Sequence, residues 1–84
     1  DITKTAVKRE LCLVKVNVPN EKARAEIMQY TNIFRAKILD VTEETLVIEL
    51  TGDKKKINAF ISLVENYGIK RIARTGLTAM ARGV

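Results

Sequence analysis

Three sets of residues have the types to do chemistry. Glu43 and Glu44 stand side by side, Cys12 is the single thiol, and Lys54, Lys55 and Lys56 follow directly on Asp53. Adjacent carboxylates can divide acid and base roles, a thiolate can attack, and lysines at a helix start can meet an anion. Each set lacks the rest of its machinery. The carboxylates fall in a short link between two strand-like runs, where water screens them and nothing shelters them for acid and base roles. Cys12 lies inside an apolar run, and with no histidine in the chain it has no imidazole base. The lysines follow "TGD", without the spacing of a phosphate-binding loop. Turn solubility, a buried thiol and a screened basic face are the simpler roles, so no catalytic, metal or cofactor-binding residue is assigned.

Bulk composition narrows the classes further. Eighty-four residues hold one domain, 1–84, whose core alone leaves it marginally stable. No apolar run approaches the roughly 18 residues of a membrane helix, and a lone cysteine fits a reducing, cytoplasmic setting. The 15 Lys and Arg against 10 Asp and Glu leave a net charge of +5, with bases and acids interleaved along the chain. Tryptophan is absent, and two Tyr and two Phe cannot tile a base-stacking platform. Nucleic acid and membrane are therefore set aside as partners.

The elements follow from periodicity. "ELCLVKVNV" (Glu10 to Val18) is rich in β-formers and ends at Pro19. Asn20 can cap a helix in "NEKARAEIMQY", where Ala23, Ile27 and Tyr30 recur at helical spacing. Phe34 to Thr42 and Thr45 to Thr51 are two further strands, so closely linked that they must form a hairpin. Asp53 caps a second helix in which Ile57, Phe60, Ile61 and Val64 make one apolar stripe, and Gly68 ends it. Ile69 to Thr75 is the fourth strand. The order β-α-β-β-α-β is the ferredoxin-like α+β arrangement: a four-stranded antiparallel sheet, strands one and three central, both helices on one face.

Alternation divides each strand between two faces. Cys12, Val14, Val16 and Val18, with Leu46, Ile48 and Leu50, should meet the helices, joined by Phe34, Ala36 and Ile38. The other face then carries Leu11, Leu13, Leu39, Val41 and Val47, an apolar cluster larger than a solitary monomer leaves to water. Lys15 and Glu49 share that face and could pair across it. These seven residues are a candidate oligomer or domain interface.

At this point whole stretches look familiar. "ELCLVKVNV", "IFRAKILDVTEETLVIELTGD", "YGIKRIARTG" and the closing "ARG" together resemble the C-terminal domain of the small, regulatory subunit of acetolactate synthase, collinearly from Lys8 to Gly83. Phe34-Arg35-Ala36-Lys37, Thr51-Gly52-Asp53 and Arg74-Thr75-Gly76 carry the likeness most sharply. The resemblance implies a non-catalytic regulatory domain. Its expected partner is a catalytic subunit that uses thiamine diphosphate, Mg²⁺ and FAD, and it is expected to homodimerise. Activation and valine feedback inhibition are implied too, with valine held by a separate N-terminal ACT domain. Residues 1–8 would then be a lead-in from that domain, whose effector residues map onto no position here. Three successive lysines after Asp53, and a Pro19 loop without glycine, depart from the expected pattern and argue against a second effector site. A free-standing, ACT-like amino-acid sensor is the alternative.

The chain closes on a tail, residues 77–84, that is apolar and basic. Leu77 and Met80 could anchor it, and Arg74 and Arg82 could lock it, against a second copy, the ACT domain or the catalytic subunit. Alternatively the tail lengthens the edge strand and packs on its own sheet.

Overall fold

The computed structural model describes residues 6–76 and 78–81, with side-chain surroundings over 9–76. β1 (Ala6–Asn17) leads to α1 (Glu21–Ile33), then β2 (Lys37–Val41) and β3 (Thr45–Gly52). α2 (Lys54–Val64) follows, with a 3₁₀ turn at Glu65–Tyr67, β4 (Ile69–Arg74) and β5 (Thr78–Ala81). The sheet order β2-β3-β1-β4 is antiparallel throughout, with β1 and β3 central as the sequence predicts.

Both helices start where their caps dictate. The Asn20 carboxamide accepts the Ala23 N–H at 2.8 Å, and the Asp53 carboxylate accepts the Lys56 N–H at 2.8 Å. Each bond satisfies a backbone donor that the helix itself leaves open. Helical spacing then places Ala23 and Ile27 of α1, and Ile57, Phe60 and Val64 of α2, in the core. They pack on Cys12, Val14, Val16, Leu46, Ile48 and Leu50, the inward set of the two central strands. Phe34 meets Phe60 edge to face, with ring centroids 5.3 Å apart.

Four features depart from the expected pattern. α1 runs on to Ile33, so the first residues expected in strand two close the helix instead. The Ala36 N–H reaches Thr31 O at 2.9 Å and the Arg35 N–H reaches Asn32 O at 3.1 Å. That is a Schellman ending, with Arg35 at φ 55° where glycine is usual. Phe34 and Ala36 still pack against the core.

Second, β2 carries a bulge: Ile38 pairs with Ile48, but Asp40 pairs with Val47 and Val41 with Leu46. The extra residue, Leu39, inverts the alternation beyond it. Val41, expected on the helix-free face, therefore stands beside Leu46 on the helix side, exposed at the sheet edge.

Third, Lys15 faces Val47, and Glu49 faces Leu13. The pair expected between Lys15 and Glu49 is offset by two residues and makes no ion pair among the described residues.

Fourth, β1 begins four residues early, at Ala6, because the tail pairs with it: Ala6↔Ala81, Val7↔Met80, Lys8↔Ala79 and Arg9↔Thr78. From Cys12↔Arg74 to Arg9↔Thr78, β1 advances three positions while the other strand advances four. Gly76, at φ 77°, lies in that step, as the glycine of a bulge does. β4 and β5 are thus one bent edge strand.

Candidate interaction surface

The helix-free face is set by the register. Leu11, Leu13 and Lys15 of β1 align with Thr51, Glu49 and Val47 of β3 on one side. On the other side, Leu13 and Lys15 align with Ala73 and Arg71 of β4. Leu13, Lys15, Val47 and Glu49 are half-buried within the protomer, while Leu11 is 37% exposed and Leu39 is 51% exposed. A shallow depression of about 400 Å³ opens among Leu13, Lys15, Val47, Arg71 and Ala73, and a smaller one of about 140 Å³ continues past Leu11 toward Thr75. Of the seven sequence-derived candidates, the fold brings Leu11, Leu13, Lys15, Leu39, Val47 and Glu49 onto this face and removes Val41.

Arg74 is not free to lock the tail to another molecule. It stands opposite Cys12, so it points to the helix side. There its Nε donates to Glu10 at 2.9 Å, a second nitrogen grips the same carboxylate, and Nη1 donates to Asn58 of α2 at 2.9 Å. Glu10 is only 4% exposed. The Arg74 hydrogen bond, aided by the Gly76 N–H and the nearby Lys54, holds its carboxyl below the usual carboxylate range against the opposing pull of burial. The same bond raises the Arg74 pKa. Beside them, burial pushes the Cys12 thiol up, away from the reactive thiolate. Sequence reasoning passed over Glu10, although it shares the parity of Cys12 and Val14 and so had to face inward.

The tail's other anchors lie partly beyond view. Leu77 and Arg82 fall outside the described residues, and Met80 is placed by its backbone alone, opposite Val7. The tail's described backbone bonds run to its own β1. At the junction the Leu11 N–H meets Thr75 Oγ1 at 2.9 Å and the Thr75 N–H meets Leu11 O at 3.0 Å.

The remaining candidates are occupied by structure. Glu43 and Glu44 are exposed in the β2–β3 turn, whose shape is held by Thr42 and by Arg24 of α1 donating to the Thr42 and Glu43 carbonyls. The Lys56 stem lies over Gly52, where an added Cβ would sit 2.5 Å from its Cδ. The loop after β1 is tied down by Asn17 N–H to Gly68 O at 2.8 Å and Val18 N–H to Glu44 O at 2.7 Å. Beside it a depression of about 420 Å³ is lined by Asn17, Pro19, Glu44, Tyr67 and Lys70, among others. The Tyr67 hydroxyl donates to Glu26 at 2.6 Å, which pushes its pKa up. No group of His, Cys, Asp and Glu suited to a metal occurs among the described residues, and no described helix is long and apolar enough to cross a membrane.

Residues 9–83 match the family described as the small subunit of acetolactate synthase. The chain belongs to the acetolactate synthase small-subunit family. It is 61% identical over 77 residues to a probable acetolactate synthase small subunit of Methanothermobacter thermautotrophicus, covering 92% of this chain and 46% of that protein. The acetolactate synthase small subunit of Bacillus subtilis is 49% identical, with 99% of this chain and 48% of that protein covered. The crystal structure of the small subunit from Thermotoga maritima superposes with a TM-score of 0.82 at 44% identity, over 94% of this chain and 48% of that one. The ferredoxin-like fold is thus shared within the small-subunit family, and the chain spans about half the length of these relatives.

Proposed function

We propose that this small-subunit domain is a non-catalytic regulatory part of acetolactate synthase, acting in the cytoplasm by binding the catalytic subunit. Thiamine diphosphate, Mg²⁺ and FAD belong to that partner in this proposal. So does the chemistry. Activation and valine feedback inhibition would arise from how the effector biases the relative placement of packed domains, a difference in affinity between two arrangements. The valine site itself belongs to an ACT domain, and no position of this chain is assigned to it. The observation that carries the proposal is the collinear match to small subunits over residues 9–83.

The test is acetolactate formation by a catalytic subunit with this chain titrated in, with and without valine. Activation would assign contact with the catalytic subunit to this domain; valine sensitivity of that activation would place an effector site here and refute its assignment elsewhere. No effect, where a full-length relative activates, would refute a direct activating contact.

The helix-free sheet face is proposed as the surface of self-association. Its five apolar side chains, Leu11, Leu13, Leu39, Val47 and Ala73, gain only by being covered. Leu13→Asp should weaken dimerisation at least about tenfold in sedimentation experiments, because it buries a charge without a partner. Unchanged association would remove this face from consideration.

The depression beside Pro19 supports a second reading, an amino-acid sensor in its own right. Calorimetry with valine, leucine and isoleucine decides it: heat of binding to this chain alone favours the sensor, and its absence refutes it.

A further inference from the structure

Arg35, Lys54, Lys55 and Lys56 come from separate parts of the chain and meet at one end of the molecule. β3 runs toward that end as far as Gly52, and α2 starts there at Lys54. α1 runs toward the same end, and Arg35 follows it just before Lys37, which aligns with Glu49 of β3. The Phe34–Phe60 contact ties the close of α1 to α2, and the Lys56 stem lies over Gly52. Two acids at this end are already engaged, Glu10 by Arg74 and Asp53 by the Lys56 N–H. None of the four bases has an ion-pair partner among the described residues. The opposite end is mixed, with Glu43, Glu44 and Glu65 standing among Lys22 and Lys70.

Both elements of the basic end work against the stability of the protomer. Arg35 holds a left-handed φ of 55° where glycine is free of strain. The first turn of α2 has no acid, and its three lysines oppose the positive end of the helix dipole. Two local costs that coincide in an otherwise consistent fold point to a use outside the protomer.

We propose that this basic end docks on an acidic surface of the catalytic subunit. The inference rests on the contact with that subunit proposed above and names the surface of this chain that makes it. Carboxylates facing this end would pair with the four bases and complement the α2 dipole in one contact. None of the three depressions described above is lined by these side chains, so a small anion finds no enclosure, whereas a broad acidic surface needs none. Nucleic acid fits less well: Phe34 and Phe60 are packed on the core and offer no stacking platform.

The test measures binding of this chain to the catalytic subunit by biolayer interferometry. K54E/K55E should bind at least ~10-fold more weakly. These substitutions put acids where the helix dipole favours them, so weaker binding does not come from a weakened fold. K22E/K70E makes the same change of net charge at exposed positions of the other end and should bind within about twofold of the natural chain. Arg35→Gly should bind more weakly while its urea midpoint rises, a combination that a purely structural residue does not give. A zero-length carbodiimide should cross-link Lys54, Lys55 or Lys56 to an Asp or Glu of the catalytic subunit.

Natural binding by K54E/K55E overturns the docking surface and leaves the contact between the subunits standing. Equal weakening by both double variants reduces the effect to net charge and also overturns it. Loss of RNA binding in K54E/K55E, with binding to the subunit unchanged, would give the end to nucleic acid instead. If the natural chain does not bind the catalytic subunit where a full-length relative does, the contact itself falls, and this inference with it.

Discussion

The two faces of the sheet share strands, register and overall apolarity, yet they have opposite fates. Even-numbered positions from Glu10 to Val16 of β1 and from Leu46 to Gly52 of β3 lie on the side of the two capped helices and are buried. The odd-numbered set Leu11, Leu13, Lys15, Val47 and Glu49 mixes Leu and Val with Lys and Glu, and is left half-open. Strand alternation alone creates both patterns; what differs is whether the chain itself supplies the cover. Each helix needs a cap, a stripe and a stop to stay on its face, and this chain provides two such helices for one face only. The other face is finished as a surface on which Leu and Val of the two central strands stand among Lys15 and Glu49, with apolar area that gains by being covered.

The contrast can be broken or sharpened by substitution. The largest effect belongs to the covered face: Phe60→Ala should cost about 3–5 kcal/mol in a urea titration, because it empties space under both helices. Leu39→Ala on the open face should cost less than about 0.5 kcal/mol at dilution, and equal losses would break the contrast.

Next comes Glu10, the charged residue that sits with the covered set. Its folded pKa lies below its ordinary value of 4.5. The ion pair therefore adds stability that is full above that value and is lost as pH falls through the lower folded pKa. The urea midpoint of the natural chain should accordingly drop more steeply between about pH 5 and pH 3 than that of Glu10→Gln. Parallel pH profiles would assign the acid sensitivity to other carboxylates.

Asp53→Ala should cost about 1 kcal/mol through loss of the cap on α2, whereas Glu43→Ala, in the exposed turn, should stay within about 0.5 kcal/mol. Smallest is a gain. Arg35→Gly relieves a left-handed residue at the end of α1 and should stabilise by up to about 1 kcal/mol in thermal or urea melts. A loss there would mean that the Arg35 side chain contributes more than its backbone costs.

What could be read in advance divides along physical lines. Helical stripes such as Ile57, Phe60 and Val64 repeat within one segment, and caps such as Asn20 and Asp53 act within three residues, so both are visible in a linear string. The central order of β1 and β3 followed from crossover handedness. The bulge at Leu39 was invisible because an extra residue is defined by its partner strand, not by its own neighbours, and Val41 was misplaced in consequence. The fourth strand was expected to end at Thr75, just before Gly76, although a glycine serves equally to bend a strand that continues. Arg35 gave no signal, since the Schellman ending was made without glycine. Glu10 was legible by parity and was overlooked among apolar neighbours. On the open face, six of the seven expected residues followed from alternation alone.

The pairing of β1 has a consequence for the order in which the protein can be made. β1 precedes all of its partners, β3, β4 and β5, in the chain, and its outermost pairing joins Ala6 to Ala81. One edge of this central strand can be covered once β3 has been made, but the other must stay open until β4 and β5 follow. The two helices and the β2–β3 hairpin can form from local contacts in the meantime, and closure of the sheet is a late, long-range event. For a nascent chain this makes the interval before residues 69–81 emerge the period of greatest exposure to misassociation, and the apolar alternation of β1 the segment most in need of shielding during it.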